Sequence, residues 1–468
     1  MKRSYFLLLC LSFTFSWFAQ TLNYYYGNLH SHSGYSDGNK DSLTTNISKP
    51  AGDYNFAKAS LHFNFLGISE HNHYSANNNP GMIRTSYALG LAEAAAANQD
   101  GTFLCLYGME FGVASNGHVI IYGVNQLLGW ENSVPGLTGP NYDLYIDKTD
   151  YTALFRKVNN TPGAFCYLAH PWWTDFGNIG NLPHIAAYDS AIVGTPFRSG
   201  LAFSTFTNYL DYPSGDYIQY YKKMLGIGYH IGMTYDHDNH NLTFGRNNAG
   251  RLVILAPSLT QSNFYSAMKN MHFYGSDDWN AKLDFKIGTK IMGDSTSGLT
   301  PPVINFIHND DDGEIADSIL LWSGVEGSNQ YPVLTNVVQG NNTLNYTDNT
   351  QSPGTNKFYF IEVIQPDGDR IISSPIWYRL SNFAGITETT NGVEVVAFPN
   401  PVNSILYFNT GLNSEYTMQL SDVQGRVVKV ERFFTPAGKI STNDLLPGIY
   451  FMEVKSKGKS SIRKIVIE

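Results

Sequence analysis

The sequence is poor in charged residues, in cysteine and in long apolar runs. Charged residues make up only 15% of its 468 positions, and the formal net charge is −9. Without a basic field the chain cannot hold nucleic-acid phosphates non-specifically, so no nucleic acid scaffold is expected as a partner. The three cysteines are too few to form a disulfide framework for a chain of this length.

The first apolar run lies at the N-terminus, in MKRSYFLLLCLSFTFSWFAQ. Two basic residues precede it, and it is too short to span a bilayer. This layout predicts a secretory signal peptide over residues 1–20. No later run predicts a transmembrane segment, so we expect a protein that acts outside the cytoplasm.

Aromatic residues and glycine are abundant, with 31 Tyr, 28 Phe and 43 Gly. This composition is typical of a β-rich chain with many turns. Over residues 21–294, short apolar runs such as FNFLGISEH, GTFLCLYGMEF and GAFCYLAHP alternate with helical segments, among them 82–98. Alternating strands and helices predict an α/β domain with a largely parallel core.

The last third of the chain differs in kind. Residues 299–380 show alternating strands separated by Asn/Gly turns, which predicts a β-sandwich domain. A linker rich in Ser, Asn, Gly and Thr follows at 381–392, and residues 393–468 again read as all-β. A chain of this length is expected to divide into several domains.

Candidate metal ligands are concentrated in the first part of the chain. The segment YGNLHSHSGYSDG carries His30, His32 and Asp37 just after a short strand. Two His at a spacing of two on an extended segment point to the same side, so both can reach one ion. Further polar residues, His71, Glu110, His170 and the Asp238/His240 pair, stand at the ends of apolar runs, where barrel-type enzymes gather catalytic groups.

In order along the chain, HSHSGYSDG, LGISEHNH, YGMEFG, GHVIIYG, YLAHP and YDHDNH resemble the motifs of the PHP (polymerase and histidinol phosphatase) metal-dependent hydrolases, in particular their secreted branch. This resemblance implies a distorted (β/α)7-type barrel, here followed by two small all-β sandwich domains. Separately, FPNPVNSILYF, LSDVQGRVVKV and LLPGIYFMEV resemble the type A sorting domain of the type IX secretion system of Bacteroidetes.

The PHP resemblance implies a ligand set for two or three divalent ions, Zn, Mn or Fe. It implies that one ion is held by His30, His32 and Asp238, a second by His118 and His170, and a third by Asp37, His71 and His240, with Glu110 bridging two of them. The family's Thr-Asp-His reads Ser69-Glu70-His71 here. Asp236 competes with Asp238, His237 with His240 and His73 with His71 for the ligand roles.

Other residues allow two interpretations. Arg246 lies six residues past His240 and either clamps an anionic substrate group or forms a structural ion pair. Trp172 and Trp173 either wall a pocket or pack internally. The remaining histidines lack a partner at ligand spacing and are expected to be structural: His62, His184, His230, His272 and His308.

These observations predict a secreted or surface-exposed metal-dependent hydrolase of the phosphoesterase type, with Glu110 and Arg246 as catalytic candidates. A metal-activated water would attack a phosphodiester, another phosphoester or a carbonyl ester such as a carbamate. The expected partners are a small or oligomeric ester and the type IX secretion machinery. The alternative is a non-catalytic cell-surface protein that binds a glycan or a peptide.

Overall fold

The computed structural model describes residues 21–75, 81–213, 215–381 and 395–468. The chain divides into two compact units, Met1–Leu380 and Ser381–Glu468. The predicted signal peptide and all but the first residue of the predicted linker lie outside the described residues.

Helices are few and short, and those of the described residues all belong to the first unit. They are α1 (Ser42–Thr45), α2 (Pro50–Ala57), α3 (Arg84–Ala97), α4 (Tyr151–Asn159), α5 (Asp175–Asn178), α6 (Ala186–Asp189), α7 (Ile218–Ile227), α8 (Gln261–Lys269) and a 3₁₀ turn at Ile179–Asn181. Side chains cap two of them, since Asp150 accepts from the Ala153 amide at α4 and Thr260 from the Asn263 amide at α8. None of the helices in the described part of the chain is long and apolar enough to cross a membrane.

The strands of the first unit form one large sheet and two smaller ones. They are β1 (Asn23–Asn28), β2 (Phe65–His71), β3 (Leu104–Val113), β4 (Gly117–Tyr122), β5 (Leu128–Gly129), β6 (Leu144–Tyr145), β7 (Phe165–Ala169), β8 (Ile192–Pro196), β9 (Gly232–Thr234), β10 (Arg251–Ala256), β11 (Phe273–Ser276), β12 (Lys282–Ile287), β13 (Lys290–Ile291), β14 (Ser295–Gly298), β15 (Val303–Asn309), β16 (Ser318–Val325), β17 (Val333–Gln339), β18 (Thr343–Thr347), β19 (Asn356–Ile364), β20 (Arg370–Ser373) and β21 (Ile376–Leu380).

The large sheet has 15 strands, with the main order β14-β21-β19-β20-β11-β10-β1-β2-β3-β4-β7-β8-β9 and with β16 and β17 branching from β19. Strands β1, β2 and β3 are parallel neighbours, as are β7, β8 and β9. Strand β4 runs antiparallel between β3 and β7, so both parallel groups point the same way. The central strands β2, β4, β7 and β10 are buried throughout, as their continuous apolar runs predict.

The predicted fold class, an α/β (β/α)7-type barrel followed by two small sandwich domains, is wrong. Only 15% of the described residues are helical, against 38% in strands. The sheet is mixed, and its hydrogen-bonded order runs from β14 to β9 rather than closing on itself. The fold prediction was wrong because a buried apolar run does not reveal the direction of its strand. The run GHVIIYG forms β4, which pairs with β3 as an antiparallel hairpin instead of following a crossover helix.

The part of the first unit after residue 299 shares its sheet and its core with the part before it. Strand β20 pairs with β11, and β21 pairs with β14. Strands β12, β13, β15 and β18 form a separate four-stranded sheet. One apolar cluster joins both parts, because Tyr26, Val253 and Tyr274 pack with Phe306, Ile361 and other residues of the later strands. The predicted domain ranges stay a prediction.

The second unit is all-β in its described residues. Its strands are β22 (Val396–Phe398), β23 (Ile405–Asn409), β24 (Tyr416–Asp422), β25 (Val427–Phe433), β26 (Ala437–Ser441), β27 (Gly448–Ser456) and β28 (Lys459–Ile467). They form two sheets, β22-β23-β26 and β25-β24-β27-β28, around a core that includes Leu406, Met418 and Met452.

One buried carboxylate makes the stability of the first unit depend on pH. Asp348 is fully buried and accepts hydrogen bonds from Lys357, Tyr359 and Thr350. Although burial alone would raise the pKa of Asp348, these donors lower it to about 2. Because this pKa lies below that of the unfolded chain, the stabilisation is present above about pH 4 and is lost as the pH falls through about 2.

We expect Asp348→Asn to lower the free energy of unfolding by about 2 kcal/mol near neutral pH, and by much less near pH 2. Urea denaturation of the wild type and the variant between about pH 2 and 6 measures this difference. The exposed Asp317→Asn serves as the control. A difference that stays constant over this pH range would contradict the assigned role.

Candidate metal centre

Strand direction brings most of the predicted ligands to one edge of the large sheet. His30 and His32 follow β1, His71 ends β2, and His170 follows β7. These strands point the same way, so the residues at their carboxyl ends lie on the same edge. Asp238, a few residues beyond β9, comes to the same edge, where Ser31 forms a bridge with Asn239.

The β3–β4 hairpin supplies Glu110 and His118. In the ladders of β3, Glu110 is opposite His71 on β2 and opposite Ile120 on β4. His118 is near the start of β4 and, because β4 is antiparallel, lies beside the end of β7, opposite Ala169. Gly112 faces His118 with a φ of 122°, and a Cβ there would approach the Gly117 carbonyl oxygen to 2.6 Å, so the hairpin requires glycine.

Glu110 lies at the middle of the cluster and is 1% exposed. Five imidazole nitrogens surround its two carboxylate oxygens. Oε1 lies 3.2 Å from His30 Nε2, 2.9 Å from His118 Nδ1 and 3.1 Å from His170 Nε2. Oε2 lies 3.3 Å from His32 Nε2 and 3.1 Å from His71 Nδ1. One carboxylate therefore connects the ligand groups of several strands.

Two further carboxylates complete the cluster. Asp238 Oδ1 lies 3.2 Å from Nε2 of both His30 and His32. Asp37 Oδ1 lies 3.5 Å from His71 Nε2 and 3.3 Å from His240 Nε2. All nine predicted ligands are thus brought together.

The nine residues form four overlapping groups whose ligand atoms lie within 4.8 Å of one another: His32/Asp37/His71/His240, His30/His32/Glu110, His30/His170/Asp238 and His71/Glu110/His118. This grouping differs in part from the predicted one. His32 also joins the Asp37 group, and His170 groups with His30 and Asp238 rather than with His118. Whether ions occupy these groups stays a prediction.

Unmet hydrogen bonding and backbone strain set this cluster apart from an ordinary ion-pair network. Nε2 of His30, His32 and His240 is buried and makes no hydrogen bond, although carboxylate oxygens lie nearby. His170 and Asp238 have positive φ values of 26° and 51°. Conformations of this kind are costly for residues with a side chain and concentrate at functional sites. Both features suit side chains held around a common ligand.

The carboxylates shift the proton affinities of the imidazoles. Burial alone would lower the pKa of His32, but Asp238 and Glu110 raise it to about 10. The same two carboxylates raise the pKa of His30 well above its ordinary value, against the effect of burial. For His71 burial prevails and lowers the pKa. Without a metal ion, imidazolium protons therefore compensate the buried negative charge, and metal binding would release them.

The predicted catalytic Arg246 does not reach this cluster. Its guanidinium donates to Ser60 Oγ and to the Phe56 carbonyl and lies over the Phe56 ring. Arg246 is therefore a packing anchor in this structure, neither a clamp at the centre nor part of an ion pair. Sequence reasoning missed Lys40, whose Nζ lies 3.5 Å from Asp37 Oδ2 at an exposed position. The sequence pointed to Lys40 only through its position, three residues after the predicted ligand Asp37.

The histidines competing for ligand roles have other contacts. His237 Nε2 is 2.8 Å from the Gly250 carbonyl oxygen, and His73 packs against Trp130. Neither belongs to a group of potential ligands. The histidines expected to be structural also lie outside these groups: His184 and His230 contact Asp189, His272 contacts Asp294, His308 contacts Asn342, and His62 stacks on Trp279.

Two acids beside the predicted ligands position the cluster instead of joining it. Asp236, an alternative ligand in the sequence, lies with Oδ2 3.2 Å from His30 Nδ1 and accepts a hydrogen bond from the Tyr167 hydroxyl. It thereby orients the other ring nitrogen of His30 towards Glu110. Glu70 accepts hydrogen bonds from Ser33 and Ser36 and so holds the loop that carries Asp37.

Exposed aromatic side chains lie near the cluster. Trp172 and Trp173 follow His170 and are 66% and 37% exposed. The Phe203 ring packs against His240 at 5.0 Å and is 60% exposed. That these rings wall a substrate pocket stays a prediction.

The second unit, by contrast, is a module for export. Residues 396–468 match the family described as a secretion system C-terminal sorting domain. The match confirms the sorting domain predicted for the type IX secretion system, and it makes that machinery a partner of this chain. The protein is directed to the outer cell surface or the extracellular space.

No curated protein matches the chain. Among the solved structures that match parts of it are the following three. The chicken CNTN1 FN1-FN3 domains are 14% identical, with 39% of this chain and 65% of that chain covered and a TM-score of 0.16. The CbhA fibronectin(III)-like modules of Clostridium thermocellum are 13% identical, with 39% and 92% covered and a TM-score of 0.15. The BSP domain of a biofilm associated protein is 14% identical, with 41% and 30% covered and a TM-score of 0.14.

This chain therefore spans just under two thirds of the first of these structures. Superpositions with such low TM-scores carry no inference about fold or function.

We expect Asp236→Asn to weaken metal binding by about 10- to 100-fold, because the substitution keeps the shape of the side chain but removes the charge that orients His30. Competition between the protein and a chromophoric chelator measures the affinity. The control is Asp189→Asn, which removes a similar carboxylate–histidine contact, between Asp189 and His230, outside the cluster. This variant should leave the affinity for metal unchanged. Equal affinities of the wild type and Asp236→Asn would contradict the positioning role.

Proposed function

We propose that the first unit is an exported metal-dependent hydrolase acting on a phosphodiester, another phosphoester or a carbonyl ester such as a carbamate. The observation that carries this proposal is the convergence of five imidazole nitrogens on the two oxygens of Glu110. The order of the sequence motifs, which resembles that of PHP hydrolases, supports it.

The side chains of the cluster fit two or three divalent ions. Imidazole and carboxylate are the preferred ligands of Zn, Mn and Fe. The Nε2 atoms of His30, His32 and His240 each lie within 3.3 Å of a carboxylate oxygen and offer lone pairs or exchangeable protons. Glu110 would bridge two ions, since its oxygens face different histidines. The chemistry such ions supply is activation of a water and stabilisation of a developing oxyanion.

The remaining side chains would admit and orient the substrate. Asp238 and His170 are the more exposed members of the cluster, with 16% and 27% of their side chains accessible. The substrate would therefore enter on their side, where Trp172 can contact an apolar or ring-shaped group. Lys40 would attract an anionic group, because its ammonium lies at the same cluster and is 42% exposed.

We expect Glu110→Gln to remove at least one bound ion and to lower hydrolysis by at least about 100-fold, because an amide cannot bridge two cations as a carboxylate does. Metal analysis and turnover of a chromogenic ester measure the two effects, with circular dichroism as the check on folding. The control is Glu326→Gln, which removes a carboxylate from the surface contact with His230.

Activity that survives exhaustive chelation in the wild type would contradict the metal-dependent mechanism. Stoichiometric metal without turnover on any ester would instead favour the alternative, a cell-surface glycan- or peptide-binding protein.

Substrate charge is the second testable point. A phosphomonoester dianion usually requires several Arg or Lys groups besides the metal ions. Here Arg198 is bound to Asp277 and Arg246 to Ser60, while Lys40 lies at the cluster. A singly charged diester or a neutral ester fits this composition better than a dianion does.

We therefore expect kcat/KM for bis-p-nitrophenyl phosphate or an aryl carbamate to exceed that for p-nitrophenyl phosphate at one pH. Steady-state kinetics of the metal-loaded protein on the three compounds decides this. A monoester value at least about tenfold above both others, or about 1.4 kcal/mol in transition-state binding, would overturn the preference.

A further inference from the structure

A second cluster of oxygen ligands lies outside the candidate metal centre, where three loops of the first unit meet. Asp278 follows β11, Asp310 and Glu314 lie between β15 and β16, and Gln365 follows β19. We call these residues, together with Asn280, the acidic corner. None of the predicted ligands of the metal centre belongs to it.

The carboxylates of the acidic corner converge on one amide. Gln365 is 2% exposed, and its Nε2 lies 3.1 Å from Asp278 Oδ2, 3.1 Å from Asp310 Oδ2 and 3.0 Å from Glu314 Oε2. An amide nitrogen carries two hydrogens, so it can serve at most two of the three carboxylates. The Gln365 amide therefore cannot serve all three oxygens, although Asp310 also accepts hydrogen bonds at Oδ1 from the Asp312 and Glu314 amides.

Two buried carbonyl oxygens nearby have no partner. Gln365 Oε1 and Asn280 Oδ1 accept no hydrogen bond, and Asn280 is only 4% exposed. Asn280 also faces the acidic loop, since its Nδ2 contacts Asp312 Oδ2 at 2.6 Å. Buried oxygens of this kind normally have a donor or an ion as a partner. This observation is independent of the number of acidic residues.

The carboxyl groups of Asp278 and Asp310 interact with each other. Burial, together with the neighbouring Asp310 carboxylate, raises the pKa of Asp278 to about 7. The Lys282 ammonium, on the neighbouring β12, is bound to the exposed Asp311. The Asp278 carboxyl therefore shares a proton with Asp310 near neutral pH, and a bound cation would take the place of that proton.

The chemistry of the ligands selects the ion. They are carboxylate and amide oxygens, without sulfur or imidazole, which is the set that Ca²⁺ prefers. We propose that the acidic corner is a Ca²⁺ site formed by Asp278, Asp310, Glu314, Asn280 and Gln365. Rotating the Gln365 side-chain amide by 180° exchanges the positions of Nε2 and Oε1. The oxygen then faces the point where the carboxylates converge.

Export makes such a site usable. Sites of extracellular modules bind Ca²⁺ with dissociation constants of about 0.1–1 mM. The bound ion would tie the loops after β11, β15 and β19 together and so stabilise the junction between the early and late strands of the first unit.

Thermal denaturation of the purified full chain in EGTA and in CaCl₂ tests the site. We expect Ca²⁺ to raise the Tm by about 2–4 °C, with half of the effect at about 0.1–1 mM. The double variant Asp310→Asn/Glu314→Gln should lose this rise. Its Tm in EGTA, compared with that of the wild type, shows whether the variant is folded.

The matched control is Asp311→Asn/Asp317→Asn, which removes two exposed carboxylates from the same region and should keep the Ca²⁺ response. Terbium gives a second readout, since Trp279 is adjacent to Asp278 in the chain and should sensitise Tb³⁺ emission. Trp279→Phe should lose the emission but keep the Ca²⁺-induced rise in Tm.

A Tm of the wild type that does not respond to Ca²⁺, or an equal response in the Asp310/Glu314 variant, would overturn the proposal. The Glu110→Gln variant should keep the response, so this result is separable from the fate of the proposed hydrolase activity.

Discussion

The structure of the first unit depends on the burial of one carboxylate among imidazoles. Glu110 is 1% exposed, and an isolated charge at such a position would be strongly destabilising. Five histidine nitrogens within 3.3 Å offset this cost, either as imidazolium groups or by sharing metal ions. The strands that carry these histidines must therefore end at one edge of the sheet.

A closed barrel is not needed to meet this requirement. The two parallel groups of strands, β1 to β3 and β7 to β9, point the same way because β4 reverses between them. The sequence predicted the buried strands from their apolar runs but not the reversal. The short turn at residues 114–116 was the local sign of this reversal. Because β4 begins at once with Gly117 and His118, there is no room for a crossover helix. Long-range pairs such as β11 with β20 leave no local sign in the sequence.

The candidate site was more predictable than the fold, because its ligands lie beside strand ends at readable spacings. His30 and His32 share one side of an extended segment, and both approach Glu110 and Asp238. Tertiary contacts were harder to predict. Nothing in the order of residues shows that Asp236 would orient His30, or that Arg246 would be bound by Ser60 and Phe56. Those roles depend on segments about 200 residues apart.

The central claim is that Glu110 and its histidines hold metal ions. Elemental analysis by plasma mass spectrometry of the full chain, purified without added metal or chelator, tests it most directly. We expect two or three equivalents of Zn, Mn or Fe per chain. A wild-type chain that contains less than about a tenth of an equivalent, and that takes up none on dialysis against these ions, would contradict it.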